Sequence, residues 1–292
     1  MIVCYAHGDG LGHLTRLRAA LHTLGETGPV TVLSGSPFAA DTRVTGGWTV
    51  RPGADLASLA PRELIVDAFP AGRRGELTAS AIPPGARVTH LARLLRWDVY
   101  APLLPDDPPR FDRTFVLEPL ADGHRAHLDA VSAEVVPLDL VDPPAVAAPG
   151  TCHCGGTTPH TPRADPSAPP RSATGSGPDG WLIVHSGPDA EILELVAYAE
   201  DMAALEGVAP RLTVVAPRRP EGLAASIGHL DVYPAWPLAR HAERIVTAAG
   251  FNAVRQFAPW RERHRVLPFP RTLDDQFARA ARLRVPEPPD RR

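Results

Sequence analysis

The sequence predicts an α/β protein made of two doubly wound domains facing one another across a cleft. Three observations carry that prediction. Short apolar runs of strand type alternate with helical periodicities through most of the chain. Three of those runs end in a Gly-containing turn that opens a helix, near residues 7–13, 185–189 and 247–252. Between the two alternating halves, residues 142–180 are crowded with Pro, Gly, Ser, Thr and Ala and show no hydrophobic period. That composition reads as a linker. The expected organisation is therefore a first domain over 1–141, a linker over 142–180 and a second domain over 181–292.

In order, residues 2–6 form a continuous apolar run, as in a strand buried on both faces of a parallel sheet. The turn His7-Gly8-Asp9-Gly10-Leu11-Gly12-His13 follows. Leu14, Leu17, Leu21 and Leu24 are then spaced for one buried helix face, with Gly25 near its end. Residues 30–33 give the next strand, and weaker strand signals lie at 48–51, 64–67, 87–90, 114–118 and 134–136, with a helix at 121–128. The second half opens on a strand at 181–184. A helix face follows at Ile192, Leu195, Val196 and Ala199. Strands are expected at 212–215, 230–233, 244–247 and 265–268, and a final helix at 272–283.

The totals exclude several classes. With 292 residues there is chain enough for two cores. A net charge of −3 lacks the basic footprint of nucleic-acid binding, and 6% aromatics offer few stacking platforms for single strands. No apolar run approaches the ~20 residues of a membrane span, which leaves only peripheral membrane contact open. The start MIVCYAHGDG reads as a strand rather than a signal peptide. The three cysteines, Cys4, Cys152 and Cys154, do not make a disulfide scaffold and fit a reducing cytoplasm. Cys152-His153-Cys154 with His160 offers four N/S ligands, but the spacing is not that of a structural zinc site, so no metal and no cofactor is expected.

The chemistry concentrates in two places. Over 247–276, TAAGFNAVRQFAPWRERHRVLPFPRTLDDQ, Gly250 sits where a strand hands over to a helix, so backbone can approach a ligand. Asn252 follows in the first turn. Asp274, Asp275 and Gln276 come at the start of another helix and supply acceptors and an amide suited to hydroxyl recognition. At the other end, His13 lies in the glycine turn with an ordinary pKa near neutrality. Asp9 is its reserve as a base or the group that orients it, and Arg16, one turn on, could meet an anion. The spacing Gly8-x-Gly10-x-Gly12 does not fit the dinucleotide fingerprint, which sets an NAD reading aside.

GDGLGHLTR, TAAGFNAV and PFPRTLDDQ together resemble the two-domain nucleotide-sugar glycosyltransferases of GT-B fold, in which two Rossmann-like domains face across a cleft. Within them the likeness is to the branch (glycosyltransferase family 28-like) containing the bacterial transferase that adds N-acetylglucosamine to lipid-linked peptidoglycan precursor. The turn Gly10-Leu11-Gly12-His13-Leu14-Thr15-Arg16 is also similar to that of the UDP-sugar hydrolase of pseudaminic acid synthesis. The resemblance implies an acceptor-side N-terminal domain and a C-terminal domain that binds a nucleotide-sugar donor, UDP-linked first. It implies metal-independent, inverting transfer to a hydroxyl or amine. Carried over residue by residue, Ser186, Gly187, Gly250, Phe251 and Asn252 face the donor's nucleotide and diphosphate. Asp275 and Gln276, beside Asp274, hold the sugar, and His13 is the base beside the Gly10 and Gly12 turn.

One position departs. Relatives carry Glu where this chain has Gln256, which can still bond a ribose hydroxyl, but without charge assistance. Two alternatives follow: a nucleotide-sugar hydrolase on the same scaffold, and a nucleotide-sugar-binding subunit without catalysis. The bland readings are that Asp274 and Asp275 only cap a helix and that Arg16 is a solvated face.

Overall fold

A computed structural model describes residues 1–8, 10–53, 56–145 and 179–284. The first half is a seven-stranded parallel sheet in the order β3-β2-β1-β4-β5-β6-β7. Its strands are β1 (Ile2–Tyr5), β2 (Val30–Leu33), β3 (Thr49–Arg51), β4 (Glu63–Ala68), β5 (Arg87–Ala92), β6 (Arg113–Val116) and β7 (Val135–Pro137). The connections carry α1 (Leu11–Thr23), the single turns α2 (Thr42–Thr45), α3 (Leu56–Leu59) and α4 (Trp97–Tyr100), and α5 (Asp122–Val131). The second half is a five-stranded parallel sheet in the order β10-β9-β8-β11-β12. It is built from β8 (Gly180–Val184), β9 (Leu212–Val215), β10 (Gly228–Leu230), β11 (Ala242–Ala248) and β12 (His264–Leu267). Its helices are α6 (Asp189–Glu206), α7 (Phe251–Gln256) and α8 (Gln276–Arg282).

The unbroken apolar runs explain the parallel sheets. Val3 and Cys4 of β1 and Val214 of β9 are fully buried, as strands covered on both faces must be. Leu14 and Leu17 of α1 are buried against β1 and β2 with Leu21 beside them. Each such side chain contributes about 1.5–3 kcal/mol. Leu17→Ala therefore costs about 2–5 kcal/mol.

Both sheets reverse direction beside their first strand, between β1 and β4 and between β8 and β11. Ligands of open α/β sheets bind at the carboxyl ends of the strands at such switch points. Here both switch points open on one cleft of about 910 Å³, lined from both domains. The fold class is thus two doubly wound Rossmann-like domains across a cleft.

Two elements differ from the sequence reading. The strand expected at 230–233 is β10, Gly228–Leu230. The last helix begins at Gln276 rather than Thr272, because the backbone before it is used elsewhere. Arg96 N donates to Leu273 O at 2.9 Å, and Leu95 bridges Asp274, so the backbone there is tied to the other domain before the helix starts.

Candidate active site

On the N-terminal lip, β1 passes through the glycine turn into α1, and His13 is the third residue of that helix. β4 pairs beside β1, which brings Asp67, at its carboxyl end, next to the turn. His13 Nδ1 lies 2.6 Å from Asp67 Oδ2. A carboxylate only accepts, so the ring carries its proton on Nδ1 and leaves Nε2 as the basic nitrogen. Arg16 donates to both oxygens of Asp67, from Nε and Nη2, each at 2.6 Å. Ala68, directly after Asp67, has φ 66, a left-handed conformation costly for a residue with a Cβ. Gly8 makes room on the other side: a Cβ there would fall 2.1 Å from His13 Nε2.

Burial pulls the His13 pKa below its ordinary value. The Asp67 carboxylate opposes this, and Arg16 and Arg93 add to it. The ring is therefore neutral at physiological pH, the form a base needs. Burial works to raise the Asp67 carboxyl, but Arg16 and His13 hold it well below the usual range, so it stays ionised.

Next to this pair runs a buried strip of alternating charge that crosses between the domains. Arg93, just beyond β5, donates to Asp274 and stacks over the Phe69 ring at 5.5 Å. Arg279 of α8 donates to Asp274 at 2.9 Å and to both oxygens of Glu118 at 2.8 Å. Arg93 and Arg279 lower the Asp274 pKa to about 2 against the upward push of burial.

The C-terminal lip is made of strand-to-helix turns. After β8 come His185, Ser186 and Gly187. A Cβ on Gly187 would sit 2.3 Å from His185 Nε2. His185 Nε2 bonds Glu191 at 2.8 Å, and Arg271 grips the same carboxylate at 2.6 and 2.5 Å. After β11, Gly250 opens α7, and Asn252 donates across the cleft to Gly12 O at 2.7 Å.

Every described member of the predicted set except Asp275 lines this cleft. Asp275 is a helix cap: its carboxylate accepts from Ala278 N at 2.9 Å, so the cleft-lining acid of the pair is Asp274. Arg16, expected to meet a ligand anion, is spent on Asp67. Gln256, expected at a ribose, donates to Asp142 at 2.9 Å beside Arg255. Gln276 accepts from Phe269 N at 3.0 Å. Asp9 and the Cys152, His153, Cys154 and His160 group lie outside the described residues. The carboxylate that orients His13 is Asp67, which no motif marked. Strand 64–67 was visible in the sequence, but its pairing beside β1 was not.

No family model and no curated protein matches the chain. Solved structures do. A glycotransferase of kitacinnamycin is 15% identical, covering 97% of this chain and 83% of its own, with a TM-score of 0.53. The spinosyn forosaminyltransferase SpnP is 14% identical, with 97% and 82% covered and a TM-score of 0.55. A glycosyltransferase of a Streptomyces species is 12% identical, with 97% and 84% covered and a TM-score of 0.50. The chain has the GT-B fold. None of these three is a named peptidoglycan enzyme, so the likeness to that branch rests on the sequence motifs alone.

Proposed function

We propose that the protein is a glycosyltransferase that moves a sugar from a nucleoside-diphosphate donor, UDP-linked first, to a hydroxyl or amine acceptor. The observation that supports this most is the His13–Asp67 pair, whose histidine lines the two-domain cleft while the carboxylate is buried behind it. In this reading the transfer is one displacement with inversion and needs no metal. His13 Nε2 takes the acceptor proton as the acceptor oxygen or nitrogen bonds the anomeric carbon. The bond to the diphosphate breaks in the same step, and the diphosphate leaves with the electron pair. Asp67 stabilises the imidazolium that forms, and general-base catalysis of this kind contributes about 10²–10⁴-fold.

Donor contacts fall on the C-terminal lip. Backbone N–H groups of Ser186 and Gly187, and those after Gly250, face the nucleotide and diphosphate. Asp274 and Gln276 meet the sugar, with Asp274 taking the part the motif gave to Asp275. Holding donor and acceptor between two domains supplies the orientation that the reaction needs. The turn at 10–16, which is also similar to a UDP-sugar hydrolase, keeps water in view as the acceptor.

The test is calorimetric titration of the protein with UDP, GDP, dTDP and their common sugar conjugates. The expected result is selective binding of one diphosphate, weakened about tenfold or more by Gly187→Ala, whose Cβ displaces His185. Binding of none of them would overturn the reading. Release of the diphosphate at the same rate with and without acceptors would make the enzyme a hydrolase.

A further inference from the structure

The charge strip joins the domains at one particular place. Arg93 and Glu118 belong to the N-terminal domain, and Asp274 and Arg279 to the C-terminal domain. Charges taken from water need their partners, since removing one leaves the others uncompensated. An exposed pair could also hold the domains, as Arg43 and Asp231 do at 2.9 Å. The buried strip instead reaches towards His13 through one intervening ring. Arg93 rests on Phe69, whose ring is 5.8 Å from that of His13. The segment carrying Asp274 is fixed by the same neighbourhood, through Arg96 N to Leu273 O and the Leu95–Asp274 bridge. Its position is therefore set by the opposite domain as well as by its own.

We propose that Arg93 is a positioning residue for the transfer: it docks the Asp274 segment of one domain against the His13–Asp67 pair of the other. Base and sugar-side carboxylate then come into register only when the domains are closed. The catalytic part of this rests on the transferase reading; the docking does not. The charged groups that act most strongly on His13 are Asp67 from β4, Arg16 from α1 and Arg93 from beyond β5. Loss of Arg93 removes a positive charge that, with Arg16, disfavours the imidazolium.

The test is Arg93→Met in the full chain, with two readouts that need no substrate. Small-angle X-ray scattering should show a larger maximum dimension. The His13 ring, followed by NMR, should titrate at higher pH than in the parent. Arg93→Lys, which keeps the charge and loses the fork, should leave the titration near that of the parent and recover part of the compactness. It also serves if the Met variant does not fold. With the donor that binds, kcat of Arg93→Met should fall about tenfold or more, with a smaller change in KM.

Unchanged scattering with an unchanged His13 titration would overturn the proposal. An opened particle whose His13 titration stays put would also overturn it, because that is the behaviour of a staple remote from the base. If no nucleoside diphosphate binds, the transferase reading falls, while scattering and titration still decide whether Arg93 docks the segment.

Discussion

The two lips of the cleft are built on opposite plans. The N-terminal lip is a set of side chains brought from distant parts of the chain: His13 and Arg16 from α1, Asp67 from β4 and Arg93 from beyond β5. His13, Arg16 and Asp67 are tied together before any ligand is considered, and Arg93 is paired with Asp274 of the opposite domain. The C-terminal lip is made of local turns, Gly187 after β8 and Gly250 after β11, where the backbone itself is the working surface. The first plan gives a histidine whose Nδ1 faces a carboxylate, which fixes its tautomer and orientation. The second offers the backbone at Gly187 and Gly250, with side-chain pairs such as His185–Glu191–Arg271 alongside. In the proposed reading, chemistry falls to the charged lip and recognition to the backbone lip.

Asp67→Asn should separate the lips most strongly. Without the carboxylate the Nδ1 proton is no longer held, and turnover should fall about 10²–10⁴-fold. Arg16 loses its partner in the interior, which costs about 3–5 kcal/mol of stability. Donor affinity, which belongs to the other lip, should stay within a few-fold by calorimetry. Equal losses of binding and turnover would break the division.

Gly8→Ala is gentler to the fold and still directed at the base. Its Cβ would arrive 2.1 Å from His13 Nε2, so the ring must leave Asp67. A displacement of about 1 Å can cost ~10²-fold in rate. The expected result is that loss in kcat with a thermal midpoint shifted by only a few degrees. Unchanged kcat would show that the ring position is not critical.

Acid should weaken the charged half first. His90 and His124 lie in the N-terminal domain and His264 in the C-terminal domain. Burial lowers them to about 4, about 3 and about 4 respectively. In the unfolded chain they titrate near 6.5 (approximately). Below that pH the unfolded state takes up protons that the folded state refuses, so stability falls as pH drops towards the folded values. Each fully coupled histidine adds up to about 1.4 kcal/mol per pH unit in that window. Urea midpoints at neutral and mildly acid pH check this; a flat profile would contradict it.

The smallest effect belongs to Asp275→Ala. The residue caps α8, so the loss should be about 1 kcal/mol of stability with donor affinity unchanged. Asp274→Asn, one position earlier, should weaken donor binding. A reversal of the two would restore the assignment the motif suggested.

This pair also shows what the sequence could reveal. The alternating strands and helices were legible because apolar runs and helical spacing are local. So were Gly187, Gly250 and His13, which sit in turns whose form depends on neighbouring residues. Asp67 was not legible: it ends an ordinary strand, and only the order β1-β4 places it by His13. Arg16 and Gln256 line the cleft as expected, but a sequence does not show that Asp67 and Asp142 also hold them. The register of the two carboxylates at 274 and 275 depended on an interdomain bond from Arg96, which no local pattern encodes.

The most direct test is release of nucleoside diphosphate from the donor that binds, in the presence of candidate acceptors, by the parent protein and by His13→Ala. The account predicts release by the parent, a loss of about 10²-fold or more in the variant, and unchanged donor affinity in both. Release at equal rates would contradict it, for His13 would then not be the base around which the cleft is built.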